Sequence, residues 1–428
     1  MNDQTMKERR DHPLVERKNG KTYLIDPDDG PLEVFYGLPP SVQFCTSCVI
    51  SNQRAAPSVL VQDQRESTKD TVPFSEDGVC EPCRIVSRKG ETDWAEREAQ
   101  LIVLLDRFRS RNGSYDCLVP GSGGKDSVFA AHVLKTKYGM RPLTVTWAPH
   151  LYTDVGWRNF QSWIHKGGFD NHLFTADGLV QRKLTQLAFR NLLHPFQPFS
   201  LGQRHFPVKF ALRMGLKLVF YGENAAEYGS GLGEDETSLV PPRFFAAERH
   251  NQNFLAGMPV EDLPAHGILP GQAEPYLPAL LDEVRQANLE VHYLGHFLNW
   301  IPQENFYYAV EHTGFEANVD RTEGTYSKYN SIDDKVDGFH YWTGFIKFGI
   351  GRCTHEASQE IRHRHITREE GVALVHRFDG EFPAKHFPEV LDYLGLDKGE
   401  FDDIVDGFRS PHLWKKHGGE WALRHVVS

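Results

Sequence analysis

The sequence predicts an α/β protein, a parallel sheet flanked by helices, preceded by a small cysteine-rich metal-binding module. Three observations carry this. Between residues 91 and 229 short apolar runs alternate with segments of helical period, as right-handed βαβ units require. The first of these runs ends in a glycine-rich turn. Four of the six cysteines fall in two C-x-x-C pairs.

Composition bounds the function. The chain has 428 residues, 40% hydrophobic and 25% charged, as globular domains do. Lys and Arg number 47 against 58 Asp and Glu, a formal charge of -11, which does not suit a nucleic-acid binder. No apolar run approaches membrane-spanning length, and Met1 to Asn19 is charged without a signal-peptide core. A soluble cytoplasmic protein without membrane contact is expected.

Residues 1–38 are polar, with a turn cluster at Asp26-Pro27-Asp28-Asp29-Gly30-Pro31, and read as an extended arm or small hairpin. Residues 39–90 hold the cysteine pairs, Cys45 with Cys48 and Cys80 with Cys83. Each pair can chelate one ion, and two pairs complete a tetrahedral four-cysteine zinc site of structural kind. An iron–sulfur cluster and a metal-free module are the alternatives; a loop from Pro57 to Asp77 must be spanned.

Residues 91–229 form the core. Glu91 to Arg109 is helical, with Trp94, Leu101, Leu104, Leu105 and Phe108 on one face. Tyr115 to Val119 is a short buried strand, with Cys117 as a small core residue, and Asp126 to Lys135 is the helix after the glycine turn. Leu143 to Trp147 is the next strand, followed by a helix from Asp154 to Lys166, a short strand His172-Leu173-Phe174 and a helix from Leu179 to Leu193. A helix from Val208 to Met214 ends at Gly215, and the strand Leu216 to Tyr221 runs into Gly222-Glu223-Asn224. Ligands of such sheets bind beyond the strand C-termini, which brings Gly121–Ser127, Trp147–Asp154 and Gly222–Glu227 to one edge. Residues 230–300 read as an insertion covering the site, with an aromatic-rich stretch from Tyr293 to Tyr308, and 301–428 as a C-terminal helical region. Thr367 to Glu370 is a capping box. His194 and His292 sit beside apolar residues and read as packed histidines.

Strand, glycine turn and helix N-terminus together make an anion site from backbone N–H groups. A Walker A loop needs glycine where Val119 stands and Ser or Thr where Asp126 stands; a dinucleotide G-x-G-x-x-G lacks its last glycine. The plain alternative is a glycine turn capped by Asp126 or Ser127. Ser122-Gly123-Gly124-Lys125-Asp126-Ser127 resembles the S-G-G-x-D-S loop of the PP-loop ATP pyrophosphatases. That resemblance implies the adenine-nucleotide alpha-hydrolase-like fold. It also implies a loop that holds the β- and γ-phosphates while an oxygen nucleophile attacks the α-phosphate.

Four stretches together resemble the N-acetyl sugar amidotransferase family within that superfamily. They are Cys45–Asn52 with Gly78–Arg84; Gly121–Ser127; Pro142-Leu143-Thr144-Val145-Thr146-Trp147-Ala148-Pro149-His150; and Tyr221-Gly222-Glu223-Asn224 with Glu227-Tyr228. Ile346–Gly349 and Ile361-Arg362 with Thr367–Glu370 match its C-terminal pattern. The resemblance implies conversion of an acetamido group of a sugar, nucleotide-linked by expectation, to an acetamidino group through an adenylylated imidate. The pathway implied is lipopolysaccharide O-antigen or related surface-glycan biosynthesis. ATP, Mg²⁺ and structural Zn²⁺ are the implied cofactors.

The residues then take expected roles. Gly121 to Ser127 hold phosphates, Lys125 as point charge and Asp126 as an indirect Mg²⁺ partner. Val145, Thr146, Trp147 and Gly222 cradle adenine and ribose, and Glu223 and Asn224 hold Mg²⁺ or orient ammonia unless they merely cap the next helix. An anionic sugar needs cations, so His150, Asp154, Gln203, Arg204, Lys347, Arg352 and Arg362 are the substrate-binding candidates. A glutaminase needs a cysteine nucleophile at the mature N-terminus or in a G-x-C-x-G elbow, and neither Cys117 nor Cys353 stands in such a setting. A separate glutaminase subunit, which an ammonia-channelling synthase-like subunit can accompany, is the expected partner. Two other classes stay open: a PP-loop tRNA-modifying enzyme, in which Cys353 becomes a thiol of interest, and a non-catalytic nucleotide-binding scaffold.

Overall fold

The structure is a computed structural model that describes residues 14–55, 68–228, 237–249 and 253–428. Parts of the N-terminal arm, of the span between the cysteine pairs and of the insertion therefore lie outside the described residues.

The arm is a three-stranded antiparallel meander, β1 (Leu14–Lys18), β2 (Lys21–Asp26) and β3 (Gly30–Val34). Asp26 turns β2 into β3, its carboxylate accepting from the backbone N–H groups of Asp28 and Asp29, 2.9 Å each. The segment after β3 is tied to the far end of the chain: Tyr36, fully buried, donates its hydroxyl to the Phe408 carbonyl at 2.8 Å. Helix α1 (Glu81–Arg88) follows the second cysteine pair, and α2 (Trp94–Phe108) starts at Asp93, which accepts from the N–H groups of Ala95 and Glu96.

Five strands of the described residues form the central sheet, all parallel: β4 (Cys117–Pro120), β5 (Pro142–Trp147), β6 (Asn171–Phe174), β7 (Leu218–Tyr221) and β8 (Glu290–Tyr293). Their spatial order is β8-β7-β4-β5-β6. The chain builds outward from β4 to β6 and then jumps to the other side of β4. The strand order thus reverses between β4 and β7, where open α/β sheets form their ligand crevice. The α/β class read from the alternating pattern is the observed one.

Side chains alternate across this sheet. Cys117, Val119, Leu218 and Phe220 face one hydrophobic cluster, with α2, α3 (Lys125–Thr136), α4 (Asp154–His165) and α7 (Pro302–Thr313). Leu118, Val145, Trp147, Val219 and Val291 face the other, with α5 (Gly178–Leu192), α6 (Gln197–Met214) and the C-terminal helices. All six residues of β5 are buried, as a strand covered on both faces must be.

Two features differ from expectation. Helix α6 begins well before Val208 and runs through Pro207; a proline inside a helix masks the periodic signal. The fifth strand, β8, lies in the stretch expected to be an insertion, and pairs with β7 in register from Glu290 with Leu218 to Tyr293 with Tyr221. The C-terminal region carries α8 (Asp337–Phe348), α9 (Arg352–Arg362), α10 (Arg368–Phe378), α11 (Phe387–Leu394) and α12 (Lys398–Gly407), then a hairpin of Trp414–His417 with Glu420–Leu423.

Candidate active site

The phosphate-type loop sits at the reversal point. The Gly121 N–H donates to the Val145 carbonyl at 3.0 Å, which seats the loop across the end of β5. Gly123 has φ +86°, and a Cβ there would fall 2.9 Å from the backbone of α4 at Asn159 and Phe160. The Ser127 hydroxyl donates to the Gly124 carbonyl at 2.9 Å in the first turn of α3. Gly222 closes the other side: its missing side chain lets the end of β7 approach α3, where a Cβ would lie 2.3 Å from the Asp126 carbonyl oxygen.

Asp126 is the hub. Its Oδ2 pairs with Lys125 Nζ at 2.5 Å, and its Oδ1 accepts from Trp300 Nε1 and Asn305 Nδ2, 2.9 Å each. Trp300 lies in the aromatic-rich stretch and Asn305 in α7, so both clamp the loop from outside its sequence neighbourhood. Burial, reinforced by the Asp126 carboxylate, pushes Glu223 up to about 7. Asp333 accepts from Ser122, and burial holds its carboxyl above the ordinary range.

The loop, Gly222, Glu223 and Asp333 line a cleft of about 740 Å³ that also takes in Gln203, Arg204, Tyr228, Lys347 and Arg362. Of the expected site residues, Gly121 to Ser127, Gly222, Glu223, Gln203, Arg204, Lys347 and Arg362 line it. Lys347 is held by the Leu192 carbonyl at 3.0 Å.

Several expected residues are placed elsewhere. Val145, Thr146 and Trp147 lie inside β5, and the Trp147 ring packs on Phe174, Phe206 and Tyr276, making it core. His150 is sealed from the cleft: its Nδ1 meets Asp334 Oδ2 at 2.7 Å and its ring packs against Phe196 and Phe199. Asp154 is exposed at the start of α4. Arg352 is buried against Glu356 at 3.2 Å and Asp337 at 3.7 Å, so its charge serves an internal ion-pair network. The cause is common to the Trp147–Asp154 edge. The segment before α8 packs over it, with the Thr153 N–H donating to the Asp333 carbonyl and the Lys335 N–H to the Leu151 carbonyl.

Asn224 is also outside the lining of the cleft, and it donates to Glu227 Oε1 at 3.1 Å. Glu227 is fully buried and joins Lys89 at 2.5 Å and His363 at 3.4 Å. Burial works against its charge, but the His363 hydrogen bond and the Lys89 cation outweigh it and hold the pKa below the ordinary value. This network fastens α1, just after the cysteines, to the end of β7 and to α9.

The four cysteine sulfurs lie within 4.8 Å of one another. Cys45 and Cys83 are 4.0 Å apart and Cys48 and Cys80 3.7 Å, close to the ~3.8 Å edge of a tetrahedron with metal–sulfur bonds near ~2.3 Å. Backbone N–H groups of Ser47, Cys48 and Cys80 point at the Cys45 sulfur at 3.3, 3.4 and 3.3 Å. The donor set fits a single ion. Cys117 is buried in β4, and burial raises its thiol and that of Cys353, so neither carries a ready thiolate. His194 and His292 are buried, as expected.

Residues 323–427 match the family model described as LPS biosynthesis protein WbpG-like, C-terminal domain. Over 78 residues the chain is 30% identical to an uncharacterized protein, MJ1599, of Methanocaldococcus jannaschii; this covers 18% of the chain and 28% of that relative's length. Among solved structures, the NMN synthetase from Francisella tularensis is similar at 13% identity and a TM-score of 0.24, over 46% of this chain and 93% of that one. The U34-tRNA thiolase NcsA from Methanococcus maripaludis, with its 4Fe-4S cluster, is similar at 13% identity and a TM-score of 0.27, over 79% and 100%. The fold assignment rests on the strand order itself. Among the described residues no helix is long and apolar enough to cross a membrane.

Proposed function

We propose that this protein is an ATP-dependent amidotransferase that converts an acetamido group of a sugar to an acetamidino group in surface-polysaccharide synthesis. The observation that carries the reading is the shared cleft. The Gly121–Ser127 loop at the strand-order reversal and residues of the C-terminal region that matches the polysaccharide-biosynthesis model line the same cavity.

The chemistry follows from the bonds. The acetamido oxygen attacks the α-phosphorus, the bond to pyrophosphate breaks, and an O-adenylyl imidate forms. Ammonia adds to the imidate carbon, and the C–O bond to AMP breaks with its electron pair. The amidinium product retains the added nitrogen, and the balance is one ATP, one amide and one ammonia to AMP, pyrophosphate and amidinium. Loop N–H groups, the α3 N-terminus and Lys125 face the charge that develops on the phosphates. Asp126, anchored by Trp300 and Asn305, would hold Mg²⁺, which supplies charge neutralisation on the phosphates when bound. A carboxyl at about 7 suits Glu223 to take the proton that the attacking ammonia sheds. The four-cysteine group is assigned to structural Zn²⁺, and the ammonia to a separate glutaminase subunit.

The test is pyrophosphate release from ATP and Mg²⁺ at high ammonium with candidate acetamido sugars, free and nucleotide-linked, following product mass. Acceptor-dependent release with a loss of about one mass unit supports the reading. Release that needs tRNA instead, or none with any acceptor, overturns it, as does glutamine hydrolysis by the isolated chain for the ammonia assignment.

A further inference from the structure

One end of the cleft gathers buried positive charge. Arg54, in the span between the cysteine pairs, lines the cleft and is 8% exposed. Arg362, the last residue of α9, lines the same cleft and is 9% exposed. Its Nη2 donates to the Glu227 carbonyl at 3.4 Å, while Nε and Nη1 are buried without a hydrogen-bond partner. The two guanidiniums lie in each other's field, and His355 lies in the field of both. Lys69 and Lys347 flank the neighbouring Phe348 ring, their ammonium groups 5.7 and 5.2 Å from its centre.

Burying two repelling guanidiniums, one with two orphaned nitrogens, is costly unless an anion completes the site. The cysteine sulfurs supply negative charge on the module side of both arginines; with Glu227 they outweigh burial at Arg362 and hold it above its ordinary range, whereas burial and the Arg362 charge lower Arg54 to about 10. Tyr228 lines the same cleft, lies in the field of Asp126 and Glu223, and also acts on Arg54.

We propose that Arg54 and Arg362 form an oxyanion subsite at the wall between the cysteine module and the cleft, taking a carboxylate or phosphate of the acceptor. That the anion belongs to the acceptor rests on the amidotransferase reading; that the pair binds an oxyanion does not. The planar fork of an arginine matches either group with two parallel hydrogen bonds. The cysteine module is then a wall of the acceptor site, and its Arg54 a specificity-determining residue.

The experiment is calorimetric titration of the full chain, saturated with α,β-methylene ATP and Mg²⁺. The probes are N-acetylglucosamine 1-phosphate, a 2-acetamido-hexuronate and neutral N-acetylglucosamine. An anionic probe binds the parent, the neutral sugar binds at least tenfold more weakly, and which anion binds tells phosphate from carboxylate. Arg54→Gln and Arg362→Gln each weaken the anionic probe by about tenfold or more, with the affinity for the ATP analogue unchanged within about twofold. Arg54→Lys restores part of the loss, and equal metal content per chain shows that the module is intact. Neutral and anionic probes binding alike, no anionic probe binding at millimolar concentration, or variants binding as the parent does overturns the proposal. Anion binding without ammonium-dependent pyrophosphate release would sink the amidotransferase reading and leave the subsite standing.

Discussion

Glu223→Gln separates a carboxyl that matters through its charge from one that only fills space. In the folded chain burial and Asp126 raise this group from 4.5 to about 7. The unfolded chain therefore releases its proton at lower pH than the folded one. Between about pH 4.5 and pH 7 folding retains a proton that unfolding gives up, so stability falls as pH rises and the deficit is complete above about 7. At about 1.4 kcal/mol per pH unit the full deficit is about 3 kcal/mol, a ceiling because the side chain keeps some solvent contact. Glutamine has the same shape and no charge to lose. With an unfolding entropy of about 0.9 kcal/mol/K for 428 residues, the variant gains up to about 3 °C over the parent at about pH 8 and nothing at about pH 4. Thermal unfolding of both proteins in chelator, at matched scan rates across that range, reads the difference. The same variant loses ammonium-dependent turnover. Parallel melting profiles across the range would refute the burial argument, since no differential protonation would then exist.

Asp126→Ala leaves Trp300 Nε1 and Asn305 Nδ2 without their acceptor, costing about 2–5 kcal/mol of stability and abolishing pyrophosphate release; urea titration and a pyrophosphate-release assay check both. Gly222→Ala drives a methyl to 2.3 Å from the Asp126 carbonyl and abolishes ATP binding, whereas Gly178→Ala, whose added carbon meets nothing within 4 Å, leaves it unchanged; equilibrium binding of the ATP analogue decides. Cys45→Ser lowers metal content below one ion per chain by elemental analysis and drops the melting temperature, because metal and fold are coupled in such modules. His150→Ala removes a packed ring and its bond to Asp334, destabilising by about 2–4 kcal/mol while leaving KM for ATP unchanged, as steady-state kinetics can test.

What was legible in the sequence was what is local. The run into Val119, the glycines and the first turn of α3 are contiguous, so residue type alone announces the strand, the loop and the helix. The cysteine pairs were legible for the same reason, since each chelating half spans four residues. Trp300 and Asn305 were not, because they meet Asp126 only after the chain has crossed β7 and β8, 174 and 179 residues later. The surroundings of His150 were illegible on the opposite ground. A histidine at a strand end reads as a ligand when its partner is unknown, and the partner, Asp334, is 184 residues away. Arg54 carried no signal beyond lying between the cysteines. Only the folded module shows that its guanidinium reaches the cleft.

The placement of these long-range partners argues for how the site is divided. The loop, Gly222 and Glu223 come from residues 121–223, around the strand-order reversal, and line one part of the cavity. Asp333, Lys347 and Arg362 come from the region that matches the polysaccharide-biosynthesis model, and they line the same cavity. Arg54 comes from the cysteine module, which the buried network of Lys89, Glu227 and His363 fastens to both. Under the proposed reading the nucleotide's phosphates are met by Lys125 and the α3 N-terminus, so the nucleotide itself has no use for the buried arginines. A second, anionic reactant does. Under the proposed reading the cation placement favours a two-substrate cleft over a nucleotide-binding scaffold, and the expected outcome of losing the module is weakened acceptor binding before weakened ATP binding.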